Sequence, residues 1–138
     1  MSGPFRSLDV SGTGLAASQR WLESIANNIA NANTVRPATE EPFRASRPVF
    51  KQIAGADGAV GNGVEMSSIE SNTDEVQRVF DPANPLAGAD GYVTRPAVDL
   101  TAEMSDMMIA GRVYQANLRA VESARDRYQA ALRLGGRQ

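Results

Sequence analysis

The sequence predicts a mainly α-helical fold with a small β insert. Two long terminal helices are expected to form an antiparallel coiled-coil-like pair, with a short β-hairpin or sheet region between them. Near the start, Leu8, Leu15, Leu22 and Ile29 fall seven residues apart, and near the end Leu100, Met107, Tyr114, Val121 and Tyr128 do the same. Seven-residue spacing keeps side chains on one seam of a slightly under-wound helix. The stretch between is rich in Gly and Pro and cannot continue either helix. The chain therefore divides into an N-terminal helical segment at 1–34, a β/loop insert at 35–97 and a C-terminal helical segment at 98–138.

In the first segment, Leu8, Leu15, Leu22, Ile25, Ile29 and Ala32 recur with a helical rather than a strand period. Gly12 and Gly14 lie inside it. Each costs roughly 1 kcal/mol against Ala, so they weaken the isolated helix or let another backbone come close. The segment ends in an Asn-rich run that holds Asn27, Asn28, Asn31 and Asn33. Asn is a mediocre helix former. The run is either a fraying end with an Asn-type cap or a polar strip that sets register against a neighbouring helix. Asn27 and Asn31, four apart, share a face.

Six prolines, from Pro37 to Pro96, fall in the insert. Phe43 to Ile53 reads as an edge strand, because Pro48 removes a ladder donor. Asp57-Gly58 and Asn62-Gly63 are tight-turn pairs. Gly63 to Glu70 and Asp74 to Phe80 are short strands, and Asp81 to Val93 is a loop with an extended return. Asp57, Asp81 and Asp90 lack the alternating spacing of a calcium loop.

The last helix starts near Asp99 or Thr101, either of which could cap it. It is expected to run to about Leu134 and stop at Gly135-Gly136. A second seam position holds Met104, Gly111, Leu118, Arg125 and Leu132, where Gly111 leaves room for close approach. Met104, Met107 and Met108 share one face, as ordinary seam packing or as an adaptable binding surface. Six Arg from Arg112 onward make a basic end that complements the helix dipole. That end is either a solvated face or a contact for an acidic surface.

Composition narrows the function. The 138 residues suit one domain, and the 42% hydrophobic share includes many Ala, so a self-sufficient core would be thin. Some burial is expected from partners. The chain has no Cys and no His, which removes disulfides, thiol nucleophiles, Cys/His zinc sites and imidazole chemistry. A net charge of −2 argues against a general nucleic-acid binder. Of 14 basic residues only Lys51 is lysine. The default reading of that bias is a GC-rich genome; the functional one is Arg at buried or bidentate interface contacts. No nucleophile elbow, phosphate loop or dinucleotide fingerprint is found, and Glu40-Glu41 and Asp74-Glu75 are adjacent rather than convergent. We expect no enzyme, no cofactor, no metal and no small-molecule substrate. No stretch approaches the roughly 20 apolar residues of a membrane span. The first five residues lack the apolar core of a cleavable signal, so composition alone reads as soluble and cytoplasmic.

Two motifs carry a resemblance. Ser24 to Thr34 resembles the N-terminal signature of bacterial flagellar axial proteins of the rod and hook, and Glu103 to Leu118 resembles their C-terminal signature. Between them, Phe80 to Pro85 with Ala89 to Val93 is similar to a short proximal-rod member. Val35 to Glu41 and Gly55 to Gly63 depart most from the pattern. The resemblance implies export through the flagellar type III apparatus without a cleaved signal peptide. It implies assembly into the periplasm-spanning rod of the basal body, a tube that carries motor torque. It implies partners that are copies of the chain, other rod proteins, and the base of the rod near the membrane ring and export gate. The terminal helices would pack against neighbours and the insert would face outward. The assembly residues expected on this reading are Leu8, Leu15, Leu22, Ile25, Asn27, Asn28, Ile29 and Asn31, with Leu100, Met104, Met107, Gly111, Tyr114, Asn117, Leu118, Val121 and Tyr128. The competing expectation is a monomeric helical-hairpin adaptor or export chaperone that binds one partner helix.

Overall fold

The computed structural model describes residues 4–55, 61–72 and 76–135. Helix α1 is Pro4–Asn31, and helix α2 is Leu100–Gly135. Five strands lie between them: β1 (Arg36–Pro37), β2 (Ser46–Gln52), β3 (Val64–Ser71), β4 (Val76–Phe80) and β5 (Tyr92–Pro96). All pairings are antiparallel, in one sheet ordered β1-β5-β4 and a second made of β2 and β3. The turn expected at Asp57-Gly58, the residues Asp74 and Glu75, and Gly136 lie outside the described residues.

This corrects the expected fold class. The chain is about half helical, and its described residues form five strands in two sheets. It is neither a mainly helical fold with a small insert nor a helical-hairpin pair. The physical reason is that the β region does structural work on α1. Thr13 Oγ1 accepts the Val64 N–H at 3.1 Å, and Ser24 Oγ donates to the Ser46 carbonyl at 2.6 Å. The β2–β3 hairpin is thus pinned near both ends along the helix. The fifteen steps of helix from Thr13 to Asn28 rise about 22 Å. Strand β2, Ser46–Gln52, covers about 20 Å at ~3.3 Å per residue. The match lets one hairpin lie along most of α1.

Proline suits the first helical position, where its missing N–H is not needed, and Pro4 opens α1. The helix stops where Asn31 turns its amide back onto the Asn27 carbonyl, at 2.9 Å. Asp99 caps α2: its Oδ1 accepts the N–H groups of Thr101 (2.9 Å) and Ala102 (3.2 Å), two of the donors that a helix start leaves unpaired. Thr101 is therefore inside the helix and not its cap.

Two irregularities shape the sheets. In the hairpin, Val49 pairs with Ser68 but Phe50 pairs with Met66, so Ser67 is an extra residue. Its hydroxyl donates to the Val49 carbonyl at 3.1 Å. In the other sheet, Val93 on the central strand β5 is 1% exposed and forms its core. Gly91, at φ 75°, turns the chain into β5 beneath the Phe80 ring, which a Cβ there would meet at 2.7 Å. Phe80 and Tyr92 rings lie 5.2 Å apart, and the Arg78 guanidinium sits 4.9 Å over Tyr92 while its Nη2 reaches Asp90 at 2.6 Å. Asp81 Oδ2 accepts from Asn84.

Candidate assembly surface

The helices meet along small and polar residues. Ser18, Ile25 and Asn28 of α1, Ala32 just past its end, and Ala110 and Ala124 of α2 are buried. Ser18, Ile25 and Ala32 are seven apart, and so are Glu103, Ala110, Asn117 and Ala124. Short side chains let the axes come close and give dense packing with little apolar area. A Cβ at Gly14 would lie 3.0 Å from the Asn117 amide, so Gly14 is a point of close approach. Gly12 and Gly111 face open space within this chain.

Asn28 fixes the register. It is 3% exposed. Its Nδ2 donates to the Ser46 carbonyl at 2.9 Å and to Glu103 Oε1 at 3.0 Å, and its Oδ1 accepts the Ser46 N–H at 2.9 Å. One side chain thereby ties α1 to the start of β2 and the first turn of α2. Its neighbours in the Asn run do local work: Asn31 bonds back to Asn27, and Thr34 Oγ1 donates to Asn31 at 3.3 Å. Arg47 lies 4.0 Å from Asp106 beside the same junction.

With Asn28 opposite Glu103 and Gly14 opposite Asn117, the helices run in opposite directions. The 36 residues of α2 outlast the 28 of α1. Every described residue from Arg125 to Gly135 is accordingly exposed.

The seven-residue lines of larger residues lie beside this seam, not in it. Of the residues expected to assemble, Ile25 and Asn28 are buried inside the chain. Leu8, Leu15, Leu22, Ile29, Asn31, Met107, Gly111, Tyr114, Asn117 and Val121 are half-buried. Asn27, Leu100, Met104, Leu118 and Tyr128 are exposed. The hairpin covers the other flank of α1, and Val10, Trp21, Phe50, Val64 and Val113 line an apolar groove of about 410 Å³. Sequence reasoning missed Ser18, Ser24, Ser46, Ala110 and Ala124. A small-residue heptad line was visible for Ser18, Ala110 and Ala124, but nothing local marks Ser46.

Two family models match the chain in these regions. One, described as "Flagella basal body rod protein", matches residues 8–37. The other, "Flagellar basal body rod FlgEFG protein C-terminal", matches residues 89–134. The flagellar basal-body rod protein FlgC of Salmonella typhimurium is 38% identical over 127 residues, 92% of this chain and 94% of the relative. The chain belongs to the FlgC family of flagellar basal-body rod proteins. The FlgC proteins of Borreliella burgdorferi (34% identical, 94% of this chain and 96% of the relative) and Bacillus subtilis (32%, 95% and 97%) agree. A FlgC-family chain is a structural subunit of the flagellar basal-body rod, which places this one in the basal body. Among the described residues no helix is long and apolar enough to cross a membrane.

Proposed function

We propose that the chain polymerises through its terminal helices, with copies of itself and with other rod proteins, into the proximal part of the tubular shaft that transmits motor torque across the periplasm. The observation that carries this reading is the division of residues on the helices. Small residues close the contact within the chain, while Leu8, Leu15, Leu22, Ile29, Met104 and Leu118 keep apolar surface for a neighbour. Apolar lines at heptad spacing match the ridges of another helix. A contact of this kind, made between different faces of successive subunits, extends rather than closes. The role is structural and non-catalytic. Export without a cleaved signal, and seating at the base of the rod near the membrane ring and export gate, belong to the same proposal.

The test is to place a carboxylate on each line. Leu22→Asp and Val121→Asp are expected to abolish swimming while the chain is still secreted at the wild-type level. Normal swimming of both variants refutes the proposal.

A further inference from the structure

Two thioethers stand beside the seam on α2. Met104 and Met108 are one helical turn apart and are 61% and 63% exposed. Met107, between them in sequence, is half-buried. Leu100 and Leu118 continue the same side of the helix. An exposed thioether is open to oxidants, and its sulfoxide is polar and chiral where the parent was flexible and apolar. We infer that Met104 and Met108 are oxidation sites through which peroxide removes an unassembled chain from the pool that can enter the rod. The inference rests on the reading that neighbours cover this side of α2.

The step is an oxygen-atom transfer from hydrogen peroxide. The sulfur lone pair attacks one peroxide oxygen, an S–O bond forms and the O–O bond breaks. The transferred oxygen gives its proton to the departing hydroxide, which leaves as water. Sulfur loses two electrons and the peroxide gains them. The sulfoxide then presents a strong acceptor on a side of the helix that carries Leu100 and Leu118. A neighbouring helix that buries it against apolar side chains must desolvate that oxygen. A chain already in the rod is shielded by the same neighbours, so oxidation acts before assembly.

The experiment has two parts. Purified full-length chain is exposed to hydrogen peroxide and its sulfoxides are mapped by mass spectrometry. Met104 and Met108 are expected to oxidise several-fold faster than Met107, and equal rates at all three overturn the inference. In cells, Met104→Leu/Met108→Leu and Met104→Gln/Met108→Gln double variants are compared, after circular dichroism shows both fold. The Leu pair is expected to swim normally and to keep swimming when peroxide is pulsed during rod construction, whereas the wild type loses motility. The Gln pair, which imitates a polar sulfoxide, is expected to be non-motile without peroxide. Normal swimming of the Gln pair overturns the assembly reading itself. A non-motile Gln pair together with a Leu pair as peroxide-sensitive as wild type overturns the oxidation inference alone.

Discussion

Asn28→Ala would remove the amide that ties α1 to β2 and α2. The Ser46 N–H would lose its acceptor in a site where Asn28 is 3% exposed. An orphaned buried donor costs about 1–3 kcal/mol. The Ser46 carbonyl would keep its bond from Ser24 and needs no replacement. Glu103 is half-exposed, so water would stand in for most of the bond it loses, at a cost of roughly 0–1 kcal/mol. Alanine returns roughly 0.5 kcal/mol as a better helix former. The net loss is about 2 kcal/mol, which lowers a urea midpoint by about 1 M for a chain with a slope near 2 kcal/mol/M. The matched control is one residue away. Asn27→Ala removes only one acceptor of an exposed bond, since Asn31 also reaches the Asn27 backbone carbonyl. Its effect is expected within about 0.5 kcal/mol of zero. Urea unfolding of both variants by circular dichroism decides the matter. Coincident midpoints would refute the role given to Asn28.

Gly111→Ala is expected to raise the melting temperature of the isolated chain by a few degrees, because a helix-interior Gly costs up to ~1 kcal/mol and a Cβ there meets nothing within 4 Å. The same variant is expected to swim less well if a neighbour comes close at that point; unchanged swimming removes Gly111 from the assembly surface. Gly91→Ala forces a side chain into positive φ against the Phe80 ring and is expected to cost about 1–3 kcal/mol in thermal unfolding. In hydrogen exchange on the isolated chain, α2 amides from Arg125 onward should exchange much faster than those around Ala110. Uniform protection along α2 would mean that the length difference between the helices has no energetic consequence.

Both helices were legible because their periods are long and their breakers sharp. The seven-residue lines were also legible, but not what they pack against. Large residues at heptad spacing look like the seam of a pair, yet Ser18, Ala110 and Ala124 occupy it, because short side chains let two helices approach within one chain. Asn28 could not be separated from Asn27, since its partners lie 18 and 75 residues away. The fold class went astray for a related reason. Pro48 marked an edge strand correctly in kind, but the long-range pairing of Arg36 with Thr94 leaves no local trace. The sheets therefore looked smaller and less consequential than they are.

The extra Ser67 in β3 alters parity as well as shape. Side chains alternate along a strand, so Met66 and Ile69, three apart, would normally point to opposite faces. Inserting one residue between two paired positions cancels that difference. Met66, Ile69 and Pro48 then line the same shallow groove beside Arg20 and Asn27 of α1. What the strand encodes at this point is a count. Replacing Ser67 would cost one hydroxyl contact, whereas deleting it would restore perfect alternation and rotate one end of the strand away from the helix it lies on.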